Sequence, residues 1–173
     1  MNTTKLNDWM QIAATAGVVA GLALVAYEVR VSNRIGFEQA NAQSLSNYSA
    51  VDELYSTPDA ADLFVRAYEG DELSRKEMVR LDSLMNAWIG AVFYDWTLSN
   101  TGTIAFESSF EDSYAPVIQW YLGSELGRRK WETDKGEWDP AFGEIIASAL
   151  AASKQRNVLR ELDYLRGATN SFE

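Results

Sequence analysis

The rhythm of apolar and polar positions changes once, sharply, near residue 28. From Trp9 to Tyr27 nineteen residues pass without a charge (WMQIAATAGVVAGLALVAY), bounded by Asp8 on one side and by Glu28 and Arg30 on the other. A helix rising 1.5 Å per residue needs about 20 such positions to cross a bilayer core, so the run predicts a transmembrane helix. Trp9 and Tyr27 stand at its two ends, where amphipathic rings favour the membrane interface. Two other readings compete. A cleavable signal peptide wants a basic leader and small residues at the cut, whereas here Lys5 is offset by Asp8 and the run closes on Leu24, Val25, Ala26 and Tyr27. A buried core helix stays open because the many alanines and glycines lower the hydrophobicity.

Beyond the run the pattern takes a helical period. Phe37, Ala40, Ser44, Tyr48, Val51 and Tyr55 fall on one stripe, with Glu38, Asn41, Asn47 and Glu53 off it, which predicts a stalk reaching about Ser56. Pro58-Asp59 restarts a short helix with Leu63, Phe64, Ala67 and Tyr68 on its apolar face, ending at Gly70. Ser74-Arg75-Lys76-Glu77 is a capping box. It opens a helix whose stripe runs Met78, Leu81, Met85, Trp88, Ile89, Val92, Trp96 and Ser99, halted by Asn100-Thr101-Gly102. Ile104, Phe106, Phe110, Tyr114, Val117, Trp120 and Tyr121 predict a further helix kinked or split by Pro116. Ser124 caps a short helix through Trp131, Gly136-Glu137-Trp138 is a loop, and Asp139-Pro140 starts a helix carrying Phe142, Ile145, Ile146, Ala149 and Leu150. Val158, Leu159, Leu162 and Leu165 predict a last helix that frays after Gly167. With no alternating β pattern and no repeat, the expected fold is all-α: an anchor over residues 1–30, a stalk over 31–57 and a helical bundle over 58–173.

Composition removes whole classes of chemistry. The 173 residues include no cysteine and no histidine, which excludes disulfides, thiolate nucleophiles, Ser–His–Asp catalysis and imidazole-based metal sites. The net charge of −10 lies entirely beyond residue 30, since Lys5 and Arg30 balance Asp8 and Glu28 before that point. An acidic body argues against nucleic acid as a partner and against lying flat on an anionic leaflet. Arg30 and Arg34 outweigh Lys5 near the span and lean the C-terminal side towards the cytoplasm.

Within the span Ala13, Gly17 and Gly21 recur every four residues, a GxxxG face on which two helix backbones approach closely. Small residues are common in membrane helices generally, so a lone GxxxG is a weak signal. In the bundle Asp95 falls at the flank of the Trp88/Val92 stripe, where a carboxylate needs a partner such as Arg128, Arg129 or a tyrosine hydroxyl. One reading is a polar group in a pocket lined by Trp88, Val92, Asp95 and Trp96; the plainer one is a structural hydrogen bond. Glu107, Glu111 and Asp112, and the cluster Glu69, Asp71 and Glu72, read as solvated acidic faces. They lack both the alternating ligands of an EF-hand and the Glu-x-x-His partners of a di-iron bundle. The basic groups Arg128-Arg129-Lys130 and Lys154, Arg156, Arg160 are expected to pair with the domain's own carboxylates. Trp120-Tyr121 and Trp131 either pack in the core or form an exposed patch for a partner.

Several local patterns resemble a family of small uncharacterised bacterial proteins. They are the Gly/Ala/Val-rich helix running into Tyr27-Glu28-Val29-Arg30-Val31-Ser32-Asn33-Arg34, the Leu73-Ser74…Glu77 cap, and Gly127-Arg128-Arg129-Lys130-Trp131 followed by Phe142. The resemblance implies a bacterial, membrane-anchored helical protein and brings no catalytic residue, cofactor or metal site with it. The function expected is therefore that of a non-enzymatic interaction or accessory protein of the bacterial inner membrane. It is single-pass, held in the bilayer by residues 9–27, with its bundle in the cytoplasm and a second copy or another membrane protein as partner. A helical ligand-sensing domain with an aromatic-lined pocket is the alternative.

Overall fold

The computed structural model describes residues 3–104, 106 and 108–163. Among them the chain is all-helical: α1 (Thr3–Tyr55), α2 (Pro58–Glu69), α3 (Arg75–Asn100), α4 (Phe110–Leu122), α5 (Glu125–Asp134), α6 (Pro140–Ala151) and α7 (Val158–Glu161). The residues predicted as the loop Gly136-Glu137-Trp138 begin instead in a single 3₁₀ turn, Lys135–Glu137.

The chain divides into two compact units, residues 1–42 and 43–173. In the first, α1 is long and apolar enough to cross a membrane. Every residue from Trp9 to Tyr27 is exposed, so the burial that a core helix requires is missing. The helix does not break at Gly36. In the second unit the last turns of α1 belong to the bundle and not to a separate stalk ending at residue 57. Val51 is buried in the hydrophobic core, with Tyr48 and Tyr55 packed against it.

The bundle's helix boundaries follow from local chemistry. Thr57 accepts the Ala60 N–H, with Pro58 at the first helical position, and Gly70 closes α2 in the left-handed region at φ 82°. Ser74 and Glu77 form the reciprocal capping box of α3. The side chains of Ser109, Ser124, Asp139 and Asn157 each accept one backbone N–H at the starts of α4, α5, α6 and α7. α4 runs through Pro116 without splitting, but Ile104 and Phe106 lie before its start. Met78, placed on the α3 stripe by its spacing, is exposed, and Leu84 is buried in addition to the predicted positions. The final helix is one turn long; Leu165 and Gly167 lie outside the described residues.

Trp88, Ile89 and Val92 of α3, Ile118 and Leu122 of α4, Trp131 of α5, and Phe142 and Ile146 of α6 fill the core. The α4–α5 corner depends on Gly127, where an added Cβ would meet the Leu122 Cα at 2.5 Å. Arg128 then fixes the segment leading to α7. Its Nε donates to the Gly123 carbonyl at 3.1 Å and its Nη2 to Ser153 O and Oγ, both at 3.0 Å. The Arg156 N–H donates to the same Gly123 carbonyl at 2.9 Å. These bonds bring α7 beside α2 and close one wall of the cavity described next.

Candidate functional site

The bundle holds an apolar cavity of about 270 Å³ where the end of α1, α2, α3, α4 and α7 meet. Its distinguishing walls are six aromatic side chains: Tyr55, Phe64, Tyr68, Trp88, Trp120 and Tyr121. They order one another. Trp88 stacks on Tyr121 at 4.4 Å between centroids, Tyr55 stacks on Phe64 at 4.8 Å, and Tyr55 meets Tyr121 edge-on at 6.0 Å. Val158, Leu159 and Leu162 supply the aliphatic wall. The Tyr55 hydroxyl is already spent on the Leu84 carbonyl, at 3.1 Å. Burial pushes the phenols of Tyr55, Tyr68 and Tyr121 up, so all three stay neutral at physiological pH.

Tyr68 and Val158 also line an adjoining polar cavity of about 550 Å³ that contains Glu69, Glu125, Arg129 and Arg156. Arg129 pairs with Glu125, and Arg156 pairs with Glu161 while its guanidinium lies 4.1 Å from the Trp120 ring centroid. Chemically, the two spaces together suit a compact ligand with an apolar body and a polar end.

The pocket drawn from sequence is only partly this one. Trp88 contributes a wall, but Val92, Asp95 and Trp96 do not line the cavity. Val92 is fully buried in the core and Trp96 packs on Phe93 and Phe142, at 5.4 and 5.6 Å. Asp95, 2% exposed, accepts a hydrogen bond at Oδ2 from the Tyr114 hydroxyl, which in turn accepts one from Tyr48 at 3.3 Å. Asp95 is thus held by a tyrosine, one of the partners expected, and by neither Arg128 nor Arg129. Its Oδ1 and the Trp138 Nε1 are buried without a hydrogen-bond partner among the described residues. Burial, then the hydrogen bonds within this ladder, push the Tyr48 phenol well up, and burial followed by Asp95 does the same to Tyr114.

Ala13, Gly17 and Gly21 sit on the exposed part of α1, and a Cβ built at either glycine meets nothing within 4 Å. Glu107 lies outside the described residues. No group of three or more carboxylates that could hold a metal occurs among the described residues. The basic runs do pair with the domain's own carboxylates at Arg129, Lys130 and Arg156, whereas Arg128 binds backbone carbonyls. Lys130 is enclosed between Asp82 and Asp134, whose bonds outweigh the opposing effect of burial and raise its pKa.

Trp120 and Tyr121 divide the two options left open by sequence. Tyr121 is an inner wall, Trp120 is 42% exposed at the cavity's edge, and Trp131 is core. Tyr55, Phe64 and Tyr68 complete the wall from apolar stripe positions whose spacing is the same as that of ordinary core residues. No family model, curated protein or solved structure matches the chain.

Proposed function

We propose that this chain is a non-enzymatic, membrane-anchored accessory protein that acts by binding, and that the aromatic cavity is its recognition site. The observation that carries the proposal is that cavity: roughly the lower limit of size for a small-molecule site, apolar within, with polar groups at one end. The exposed, uncharged helix from Trp9 to Tyr27 supports the anchor. The absence of histidine and cysteine from the chain supports a binding role over a catalytic one. In this reading residues 9–27 hold the chain in a bacterial inner membrane, Arg30 and Arg34 favour a bundle on the cytoplasmic side, and the open Gly17/Gly21 face offers a second copy a place to pack.

The test is ¹⁹F NMR on the full chain in nanodiscs, labelled with 5-fluorotryptophan, against a library of small uncharged apolar fragments. Fragments that bind the cavity shift the Trp88 and Trp120 resonances and leave those of Trp96, Trp131 and Trp138 in place. A library that moves neither Trp88 nor Trp120 overturns the assignment.

A further inference from the structure

The cavity's walls and the charges around it select a particular chemistry, given the reading of this cavity as the recognition site. None of the residues lining the apolar space carries a charge, and six of them are aromatic. Rings held in this way attract a desolvated cation through their quadrupoles, and the protein already uses one of them so: the Arg156 guanidinium lies 4.1 Å from the centroid of Trp120.

The paired charges that line the adjoining cavity cancel. Arg129 and Arg156 are matched by Glu125 and Glu161, so neither leaves net positive charge at the site. Of the charged residues lining the two cavities, one carboxylate is left over. Glu69 lies in the adjoining polar cavity directly after Tyr68, and no ion pair engages it among the described residues. Asp52, also without an ion pair among the described residues, lies one helical turn before the cavity-lining Tyr55 on α1. Aromatic walls with net negative charge beside them disfavour an anionic head and complement a cationic one.

Size narrows the class further. A cavity of about 150 Å³ admits benzene, so about 270 Å³ leaves room for one ring with a compact ammonium group. We infer that the aromatic cavity binds a monovalent organic cation with an apolar body, of the substituted-ammonium class, seated against Tyr68, Trp120 and Tyr121.

Phenyltrimethylammonium and its uncharged isostere tert-butylbenzene differ only in nitrogen against carbon, and so separate charge from shape. Both are titrated into the 5-fluorotryptophan-labelled full chain in zwitterionic nanodiscs at low salt, with lipid partitioning measured on protein-free nanodiscs. The cation is expected to bind about tenfold more tightly than the isostere. The exposed substitutions Asp52→Asn and Glu69→Gln together should reduce that ratio severalfold, leaving tert-butylbenzene affinity unchanged. Equal binding of the two probes, or a ratio insensitive to both carboxylates, overturns the cation inference while leaving the cavity as a binding site. Failure of both probes to move Trp88 and Trp120 overturns the inference together with the recognition site itself.

Discussion

Trp88 lies stacked on Tyr121, their ring centroids 4.4 Å apart and their planes 22° from parallel. One ring comes from the middle of α3 and the other from the end of α4, so this contact both joins two helices and forms a wall of the cavity. Because Trp88 is only 2% exposed, the wall is also core. Trp120, on the same helix as Tyr121, stands at the rim.

That difference predicts opposite consequences for two tryptophans of one cavity. Trp88→Ala removes a buried ring and leaves a void, and is expected to lower the unfolding free energy by about 3–5 kcal/mol. Trp120→Ala forfeits mainly a partly exposed surface and the Arg156 contact, a cost of about 1 kcal/mol. Urea denaturation of the two variants in detergent, followed by circular dichroism, gives both values.

The Asp95 ladder predicts an asymmetry between two tyrosines. Tyr114→Phe takes away the hydroxyl that serves Asp95 Oδ2 and leaves a buried carboxylate with both oxygens unpartnered, a loss of about 1–3 kcal/mol. Tyr48→Phe removes the outer, 3.3 Å bond and is expected to cost below about 1 kcal/mol. Equal losses in denaturation experiments would show that the ladder does not hold Asp95 in place.

The capping box makes a pH prediction. The Ser74 hydroxyl first, then Arg66 and the Ser74 backbone N–H, hold the Glu77 carboxyl at about 2 against 4.5 for an unperturbed glutamate. The folded state therefore binds this proton less readily than the unfolded chain. The stabilisation is fully present above pH 4.5 and is lost as pH falls through about 2. The Tm difference between the natural chain and Glu77→Gln should grow from pH 2 to pH 5, stay flat above that, and shrink in high salt. A difference that does not vary with pH would remove the ionised carboxylate from the cap.

Association through α1 is tested at Gly17 and Gly21. Since a Cβ at either position meets nothing within 4 Å, leucine fits at both without disturbing the chain's own fold. Gly17→Leu with Gly21→Leu is expected to weaken self-association in a membrane two-hybrid assay. Unchanged signal at equal expression would exclude this face as the dimer contact.

What sequence could reveal divides along the range of the interactions. Ser74 with Glu77, Asp139 with Pro140, and Gly70 act within one turn of their own helices, so the pattern of residues places these boundaries directly. The all-α fold follows from the same local signals. Tyr114 reaches Asp95 from the next helix, and Tyr48 reaches Tyr114 from α1. No local spacing specifies either pairing, only the need of a buried carboxylate for some donor. The cavity is more remote still. Tyr55, Phe64, Trp88, Tyr121 and Leu159 come from five helices, and their stripes are those of ordinary core positions. An imperfect closure between such stripes makes the space, and this depends on how α7 is held by Arg128 and the Gly123 carbonyl. Periodicity alone extends the anchor into a stalk because it continues unchanged past Ala42; it does not register that Tyr48, Val51 and Tyr55 enter the core.

The cavity itself can be tested without choosing a ligand. Crystals of the full chain pressurised with xenon should show anomalous density between Trp88, Trp120 and Tyr121, because xenon occupies apolar spaces of this size and has no charge or shape preference. A structure with the Trp88–Tyr121 stack in place and no xenon beside it would mean that the space is closed, and would contradict the account of this protein as a binding domain.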